Sequence, residues 1–206
     1  MCAVFSPLHD YMPNDLLTSG HEAYATPLGN VPVDHTLIDD CNRRLEELGG
    51  ETLHHIANDR EHSLEIQLPF LQQALVGSFS LLPVMVRTHD ASALHDAGMV
   101  IAEALKGRRA LLVASTDLSH FYDRDEANLL DSAMLNQITE FSPEGVLKAE
   151  RCGEGYACGA GAVALMLYTA KALGAVNVTL LHHSTSADAS GDASRVVGYG
   201  ALAVTR

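Results

Sequence analysis

The chain has 206 residues, 47% of them hydrophobic, and a formal net charge of −13 at pH 7. This length suits one domain with a substantial core, and no apolar run approaches the roughly 20 residues that cross a bilayer. The charge argues against nucleic acid and anionic membranes as partners, because both require clustered basic residues and the 13 basic residues here are scattered. The N-terminus lacks the basic and apolar segments of a secretion signal, so we expect a cytoplasmic protein with one domain, 1–206.

Short strands and helices alternate along the chain. Strands are predicted at 2–5, 51–56, 80–86, 110–114, 176–181 and 196–204. Helices are predicted at 34–48, 61–76, 91–105, 124–138 and 143–149, with a last one that follows the glycine-rich segment 153–161 and runs through 173. Residues 10–33 are rich in Pro and Gly and are predicted to form a long loop. The alternation indicates an α/β fold, a largely parallel central sheet with helices on both faces (an αβα sandwich).

A short apolar strand leads into a polar turn and a histidine. Residues 110–114 are all apolar and are followed by Ser115, Thr116 and Asp117, with His120 three residues further on. Such a run, bounded by turn-formers, predicts a central strand buried on both faces, and ligands collect beyond the carboxyl ends of such strands. Asp117 and His120 are therefore candidates for a metal-ligand pair or for a histidine oriented by a carboxylate for general acid–base work. The alternative is that Asp117 caps the next segment and His120 is incidental.

Other reactive side chains occupy comparable junctions between predicted elements. They are His9, the pair Glu61-His62, and Cys158, in a chain with eleven histidines. Parallel topology brings such junctions to one edge of a sheet, and imidazole and thiolate both bind zinc, iron and copper. Cys158 enters a helix N-terminus, a position that lowers a thiol pKa.

Each of these residues also has an ordinary structural interpretation. His9 fits a solvated loop histidine. Glu61 fits a first-turn acid favoured by the helix dipole. Cys158 fits a small buried apolar side chain.

Taken together and in chain order, six segments resemble the MEMO family, whose bacterial members are named AmmeMemoRadiSam system protein B. The segments are Ser6-Pro-Leu-His9, Tyr24-Ala-Thr-Pro-Leu-Gly29, Asp59-Arg-Glu-His-Ser-Leu-Glu-Ile-Gln-Leu-Pro-Phe70, Ser115-Thr-Asp-Leu-Ser-His120, Ala157-Cys-Gly159 and Arg195-Val-Val-Gly-Tyr-Gly200. They span almost the whole chain, and the block from Glu61 to Phe70 is specific by itself.

The resemblance implies a fold similar to that of the LigB-type class III non-haem iron extradiol dioxygenases, with a metal cleft. By the same resemblance, His9 matches a metal-ligand histidine, and Cys158 matches a ligand cysteine where the dioxygenases use a carboxylate. His120 matches the acid–base histidine of the dioxygenases, and Asp117 lies beside it in the family motif.

The resemblance also places Glu61 and His62 in a motif at the cleft, and it reveals one departure. The family carries an upstream segment with a Pro-His-Ala-Gly-Tyr motif, whose histidine is another metal ligand, and these 206 residues start at the following strand. We therefore expect a MEMO-like domain without the family's first N-terminal unit. The metal site is then incomplete unless His120 or water completes it, and a sheet edge or core face is exposed that a partner subunit, as in a homo-oligomer, could cover.

Two functions follow as expectations. The first is a mononuclear metal protein (iron, with copper or zinc as the other candidates) with a dioxygenase-like oxidoreductase activity on a small molecule; His9, Cys158 and His120 hold the metal, His120 shuttles protons and Asp117 orients it. The alternative is a non-catalytic module that binds a ligand or peptide in the inherited cleft. A zinc hydrolase is disfavoured, because the chain has no HExxH motif and no two-metal carboxylate cluster.

Overall fold

The computed structural model describes all residues, 1–206, and confirms the predicted α/β class. The strands are β1 (Cys2–Pro7), β2 (Leu16–Ser19), β3 (Ala23–Thr26), β4 (Gly29–Pro32), β5 (His54–Ile56), β6 (Leu81–Val86), β7 (Leu111–Ala114), β8 (His120–Tyr122), β9 (Asn177–Thr185) and β10 (Val196–Thr205). The helices are α1 (His35–Glu47), α2 (Gln67–Ala74), α3 (Ala91–Leu105), α4 (Arg124–Thr139), α5 (Pro143–Cys152), α6 (Ala160–Ala172) and α7 (Ala187–Ser190). None of the helices is both long and apolar enough to cross a membrane.

The main sheet has five strands in the order β5-β2-β6-β1-β7. Its pairs are parallel except β2 with β6. Strand β1 lies between β6 and β7, and its side chains are fully buried on both faces. Because side chains alternate along a strand, Cys2 and Val4 pack with the α2 residues, whereas Ala3 and Phe5 pack with the core that α1, α3 and α6 share. Helices therefore cover both faces, as predicted.

A second sheet lies beside the first. Strand β10 pairs antiparallel with β9 along its length and with the short strand β8 at its start. Helix α4 contacts β8, β9 and β10. The sequence pattern did not predict β8, yet this strand carries His120.

The prediction that residues 10–33 form a long loop is wrong. Strand β2 lies within it and is wholly buried in the main sheet, and β3 and β4 form a hairpin. The hairpin turns at Pro27 to Gly29, where Gly29 has a φ of 115°. Gly20 and Pro27 do lie between strands, but Gly29 and Pro32 lie within β4, and strands of only four residues give little periodicity.

The prediction that 110–114 is a central strand buried on both faces is also wrong. Strand β7 pairs only with β1 and is an edge strand of the main sheet. Leu111 is 41% exposed, and the rest of β7 is half-buried. Strand β1 holds the central position instead. A run of apolar residues indicates that a strand lies in apolar surroundings, but it does not indicate how many other strands pair with it.

The helix predicted for 61–76 is shorter than expected. Helix α2 begins at Gln67, after a polar loop that Glu61 organises. Pro69 lies in the first turn of α2, where an N–H has no partner within the helix, so the helix accommodates it.

Helices α3 and α6 cross closely at Gly98, and this contact yields a stability prediction. A Cβ atom on Gly98 would lie 2.7 Å from the Cβ of Tyr168 and 3.2 Å from the backbone nitrogen of Thr169. In an unhindered helix interior Gly→Ala stabilises by about 1 kcal/mol. Here we expect Gly98→Ala to lower the unfolding free energy by about 1–3 kcal/mol, because the two helices must separate. Urea denaturation measures the change, with the exposed neighbour Met99→Ala as control; a stabilised Gly98→Ala variant would contradict the close crossing.

Candidate functional site

The candidate site lies beyond the carboxyl ends of β1 and β7. His9 follows β1 by two residues, and Asp117 follows β7 by three. Cys158 precedes α6, whose first turn approaches the segment after β7. The parallel pairing of β1 with β7 brings these junctions to the same edge of the sheet.

Asp117, His120 and Cys158 form one compact group. Each offers a ligand atom, and these atoms all lie within 4.8 Å of one another. Two ligands on opposite sides of one ion, with bonds of about 2.0–2.4 Å, are separated by a similar distance. The group therefore has the size and the mixed S, N and O donor set that suit a transition metal.

Two hydrogen bonds, one in each direction, hold Cys158 against the segment that follows β7. The amide of Asp117 donates to the Cys158 Sγ at 3.2 Å, and the amide of Cys158 donates to the carbonyl of Asp117 at 3.2 Å. The amide of Gly159 donates to the Thr116 Oγ1 at 2.8 Å. A side chain at position 159 would bring a Cβ to 2.7 Å from the Ser115 carbonyl, so glycine is required for this approach.

The ring of His120 presents an unused nitrogen to this group. Its Nε2 is buried and has no hydrogen-bond partner. The Asp117 Oδ2 lies 3.6 Å away, which is too long for a hydrogen bond. A buried imidazole nitrogen without a partner is costly, and a metal ion would satisfy it. The orienting role of Asp117 and the proton-transfer role of His120 stay predictions.

Glu61 fixes the orientation and tautomer of His9. Its carboxylate, with the side chain only 3% exposed, accepts bonds from the His9 amide at 2.7 Å and the His9 Nδ1 at 2.9 Å. Its other oxygen accepts the amides of His62 at 2.9 Å and Ser63 at 2.8 Å. A carboxylate only accepts, so Nδ1 of His9 carries a proton and Nε2 is left free as a metal ligand when the ring is neutral.

The electrostatics of Glu61 follow from these bonds. Burial raises the pKa of this carboxyl, but the N–H groups of His9 and Ser63 stabilise the anion and lower the pKa to about 2. Glu61 is therefore an anion at neutral pH. His9 lies outside the compact group of three, and His62 is exposed with its ring centroid 6.3 Å from that of His9. Their roles in a site stay predictions.

The pKa of Cys158 is raised, and the expected helix-terminus effect is not observed. Burial is the largest cause, and the carboxylates of Asp117 and Glu61 add to it, whereas the Asp117 amide and the Thr116 hydroxyl act in the opposite direction. Helix α6 has Gly159 as its N-cap, so the thiol lies outside the helical turn. The metal-free thiol is protonated at neutral pH, and metal binding would release that proton.

Buried Asp131 and its partly buried partner His183 support the segment that carries His120, and sequence analysis missed them. Asp131 is completely buried, and its carboxylate accepts the Ser119 amide at 2.9 Å and the His183 Nε2 at 2.8 Å. Gly198 leaves the room for it, since a Cβ there would lie 2.0 Å from the Asp131 Oδ2. One signal was available, because Asp131 falls on the apolar stripe of α4 together with Ala127, Met134, Leu135 and Ile138.

A hydroxyl chain ties the loop before α2 to both strand ends, and it was also missed. Ser63 Oγ donates to the Pro7 carbonyl at 3.0 Å, and Ser115 Oγ donates to the Ser63 carbonyl at 2.6 Å. Gln67 then donates to the Ser115 Oγ at 3.0 Å. Isolated Ser and Gln residues give no pattern that reasoning from one sequence could detect.

The lowered pKa of Glu61 predicts a pH-dependent stability. An acid with a folded-state pKa near 2 and an ordinary value of 4.5 stabilises the fold above pH 4.5, and this contribution is lost as the pH falls towards 2. We expect Glu61→Gln to cost on the order of 3 kcal/mol at pH 7 and progressively less between pH 5 and 2. Urea denaturation across this range measures the difference, with exposed Glu65→Gln as control. A pH-independent difference would contradict the assignment.

The hydrogen bonds of buried Asp131 give a second prediction. Asp131→Ala leaves the Ser119 amide and His183 without their acceptor, and we expect a loss of about 3–5 kcal/mol in unfolding free energy. Asp131→Asn keeps the shape and the acceptor for Ser119, so its loss should be clearly smaller. Guanidinium denaturation separates the two, and the amide shift of Ser119 reports whether its bond survives. Equal losses of unfolding free energy for both variants would contradict the stabilising role of the Asp131 hydrogen bonds.

Comparison with known proteins identifies the family. The family model described as "Memo-like protein" matches residues 1–203. A MEMO1 family protein of Nitrosopumilus maritimus is 34% identical over 202 residues, a match that covers 97% of this chain and 71% of the relative. MEMO1 family proteins of Methanosarcina mazei and Methanopyrus kandleri are each 33% identical, with 98% of this chain and 74% and 71% of the relative covered. The chain belongs to the Memo-like family.

Proposed function

We propose that this chain binds one transition-metal ion through Cys158 and His120, with Asp117 at the same ion and His9 as a further ligand. The observation that supports the proposal is the compact donor group, whose ligand atoms lie within 4.8 Å of one another and which includes the partnerless buried Nε2 of His120. We infer iron as the preferred metal from the resemblance to non-haem iron dioxygenases, with copper and zinc as the competing metals.

The surrounding residues are suited to hold such an ion. The amide of Asp117 and the hydroxyl of Thr116 hydrogen-bond the Cys158 sulfur, and these contacts stabilise its thiolate once the proton has left. Glu61 keeps the Nδ1 of His9 protonated and so directs the other ring nitrogen outward as a ligand. Asp131 holds the backbone beside His120 in place.

The activity that we propose is a dioxygenase-like oxidation of a small molecule. A redox-active metal in this group would supply oxygen activation and Lewis-acid chemistry. When its Nε2 is not bound to the metal, His120 would accept a proton from a hydroxyl of the substrate at that nitrogen, and Asp117, whose Oδ2 lies 3.6 Å from it, would stabilise the resulting imidazolium. An octahedral iron site would keep coordination positions open for substrate beside these protein ligands.

The metal proposal predicts selective loss of binding in site variants. Cys158→Ser should weaken binding of Fe(II) more than tenfold, because losing even an outer partner of a metal ligand costs roughly 10–100-fold. The control is Cys152→Ser, which removes the exposed thiol and should bind normally. Anaerobic titration measures affinity, and Co(II) titration should add a thiolate charge-transfer band that Cys158→Ser abolishes. Metal-free protein after purification without chelators, together with no effect of Cys158→Ser, would contradict the proposal.

Oxygen consumption tests catalysis separately from metal binding. Oxygen consumption with a panel of catechols should require both the metal and His120, so that His120→Gln loses turnover at saturating metal. Metal binding without oxygen consumption would favour the alternative of a non-catalytic binding module.

A further inference from the structure

A second group of metal-ligating side chains lies at the edge of the main sheet that is farthest from β7. Strand β5 forms that edge and pairs only with β2. His55 lies in β5, His35 is the first residue of α1, and Glu22 lies between β2 and β3. None of these elements carries a residue of the compact group formed by Asp117 and its neighbours.

The alternation of side chains along β5 directs His55 towards α1. Successive side chains of a strand point to opposite faces of the sheet. Ile56 packs with Leu17 and Met85 on one face. His55 therefore faces the other side, which α1 covers. The rings of His55 and His35 lie nearly parallel there, with an interplanar angle of 18° and centroids 6.3 Å apart. Two imidazoles bound to one zinc ion place their centroids about 5–6.5 Å apart, because each Zn–N bond is about 2.0–2.1 Å long.

The ring of His35 presents a nitrogen that no group of the protein satisfies. Its Nε2 is buried and has no hydrogen-bond partner. The Glu22 Oε2 lies 3.9 Å from this nitrogen, which is beyond hydrogen-bond distance. An unpaired buried imidazole nitrogen costs free energy, and an ion between the two side chains would satisfy both. Two ligand atoms of a tetrahedral zinc site lie about 3.3 Å apart, and the Glu22 side chain, 95% exposed, is free to make this adjustment.

The surroundings favour a cation and select these three ligands. Glu22 has no lysine or arginine within salt-bridge distance, in a chain whose net charge is −13. The nearby His21 is already occupied, because its Nε2 accepts the Asn58 amide at 3.2 Å. His54 precedes His55 in β5 and points to the opposite face of the sheet. Two imidazoles and one carboxylate remain, a donor set that binds zinc and leaves a fourth position to water.

We propose that His35, His55 and Glu22 bind a zinc(II) ion or a divalent transition-metal ion of similar chemistry. The bound ion links the start of α1 to the edge strand β5 and to the segment that leads into the β3–β4 hairpin. This site shares no residue with the proposed site at Cys158. The inference therefore goes beyond the proposed function and does not depend on it.

Zinc titration of the full chain tests the proposal, with Cys158→Ser as the starting protein because that substitution weakens the other site. We expect Cys158→Ser to bind one equivalent of Zn(II) in competition with a chromophoric chelator. Zinc should shift the imidazole NMR signals of His35 and His55. His35→Gln and His55→Gln should each weaken this binding more than tenfold, because losing even an outer partner of a metal ligand costs roughly 10–100-fold.

Matched controls come from the same elements of the fold. His54→Gln removes the neighbouring exposed imidazole from β5, and Glu46→Gln removes an exposed carboxylate from α1. Neither substitution should change the zinc affinity, whereas Glu22→Gln should weaken it. Circular dichroism of each variant without metal checks that the chain is folded before its zinc affinity is compared.

Three outcomes would overturn the proposal. One is the absence of any zinc binding by Cys158→Ser. Another is zinc binding that shifts neither imidazole signal and that neither His35→Gln nor His55→Gln weakens. The third is an equal loss of affinity in His54→Gln, because the ion would then bind adventitiously to exposed imidazoles of β5.

Discussion

The parallel pairing of β1 with β6 and β7 is the constraint on which the candidate site depends. Because the three strands run in the same direction, the chain leaves β1 at Pro7 and β7 at Ala114 on the same edge of the sheet. The buried apolar faces of β1 fix this register, since a slip of one residue would exchange its two sets of side chains between the helical layers. The hydroxyl chain from Pro7 through Ser63 to Ser115 can form only in this register.

The carboxylate of Glu61 and the thiol of Cys158 organise the polar residues at this edge of the sheet. Glu61 accepts four N–H groups and thereby sets both the turn before α2 and the tautomer of His9. Cys158 is held by the backbone of Asp117, and this contact joins α6 to the end of β7. The two centres interact, because the charge of Glu61 contributes to the raised pKa of Cys158. A cation bound at Cys158 would offset the effect of the Asp117 and Glu61 carboxylates and favour the thiolate.

The fold class could be predicted from the sequence because strands such as β1 and β6 are continuous apolar runs between polar turns. The edge position of β7 could not be predicted in this way. Its composition matches that of a buried strand, and strand pairing is a property of the whole sheet. Asp117 and His120 stood out because they follow a predicted strand, and Cys158 stood out because it precedes a predicted helix. The effect of neighbouring carboxylates on the Cys158 thiol and the support of the His120 segment by Asp131 required distances between residues far apart in sequence. Local rules therefore identified the three residues that the structure brings together, and they missed the electrostatics of these residues.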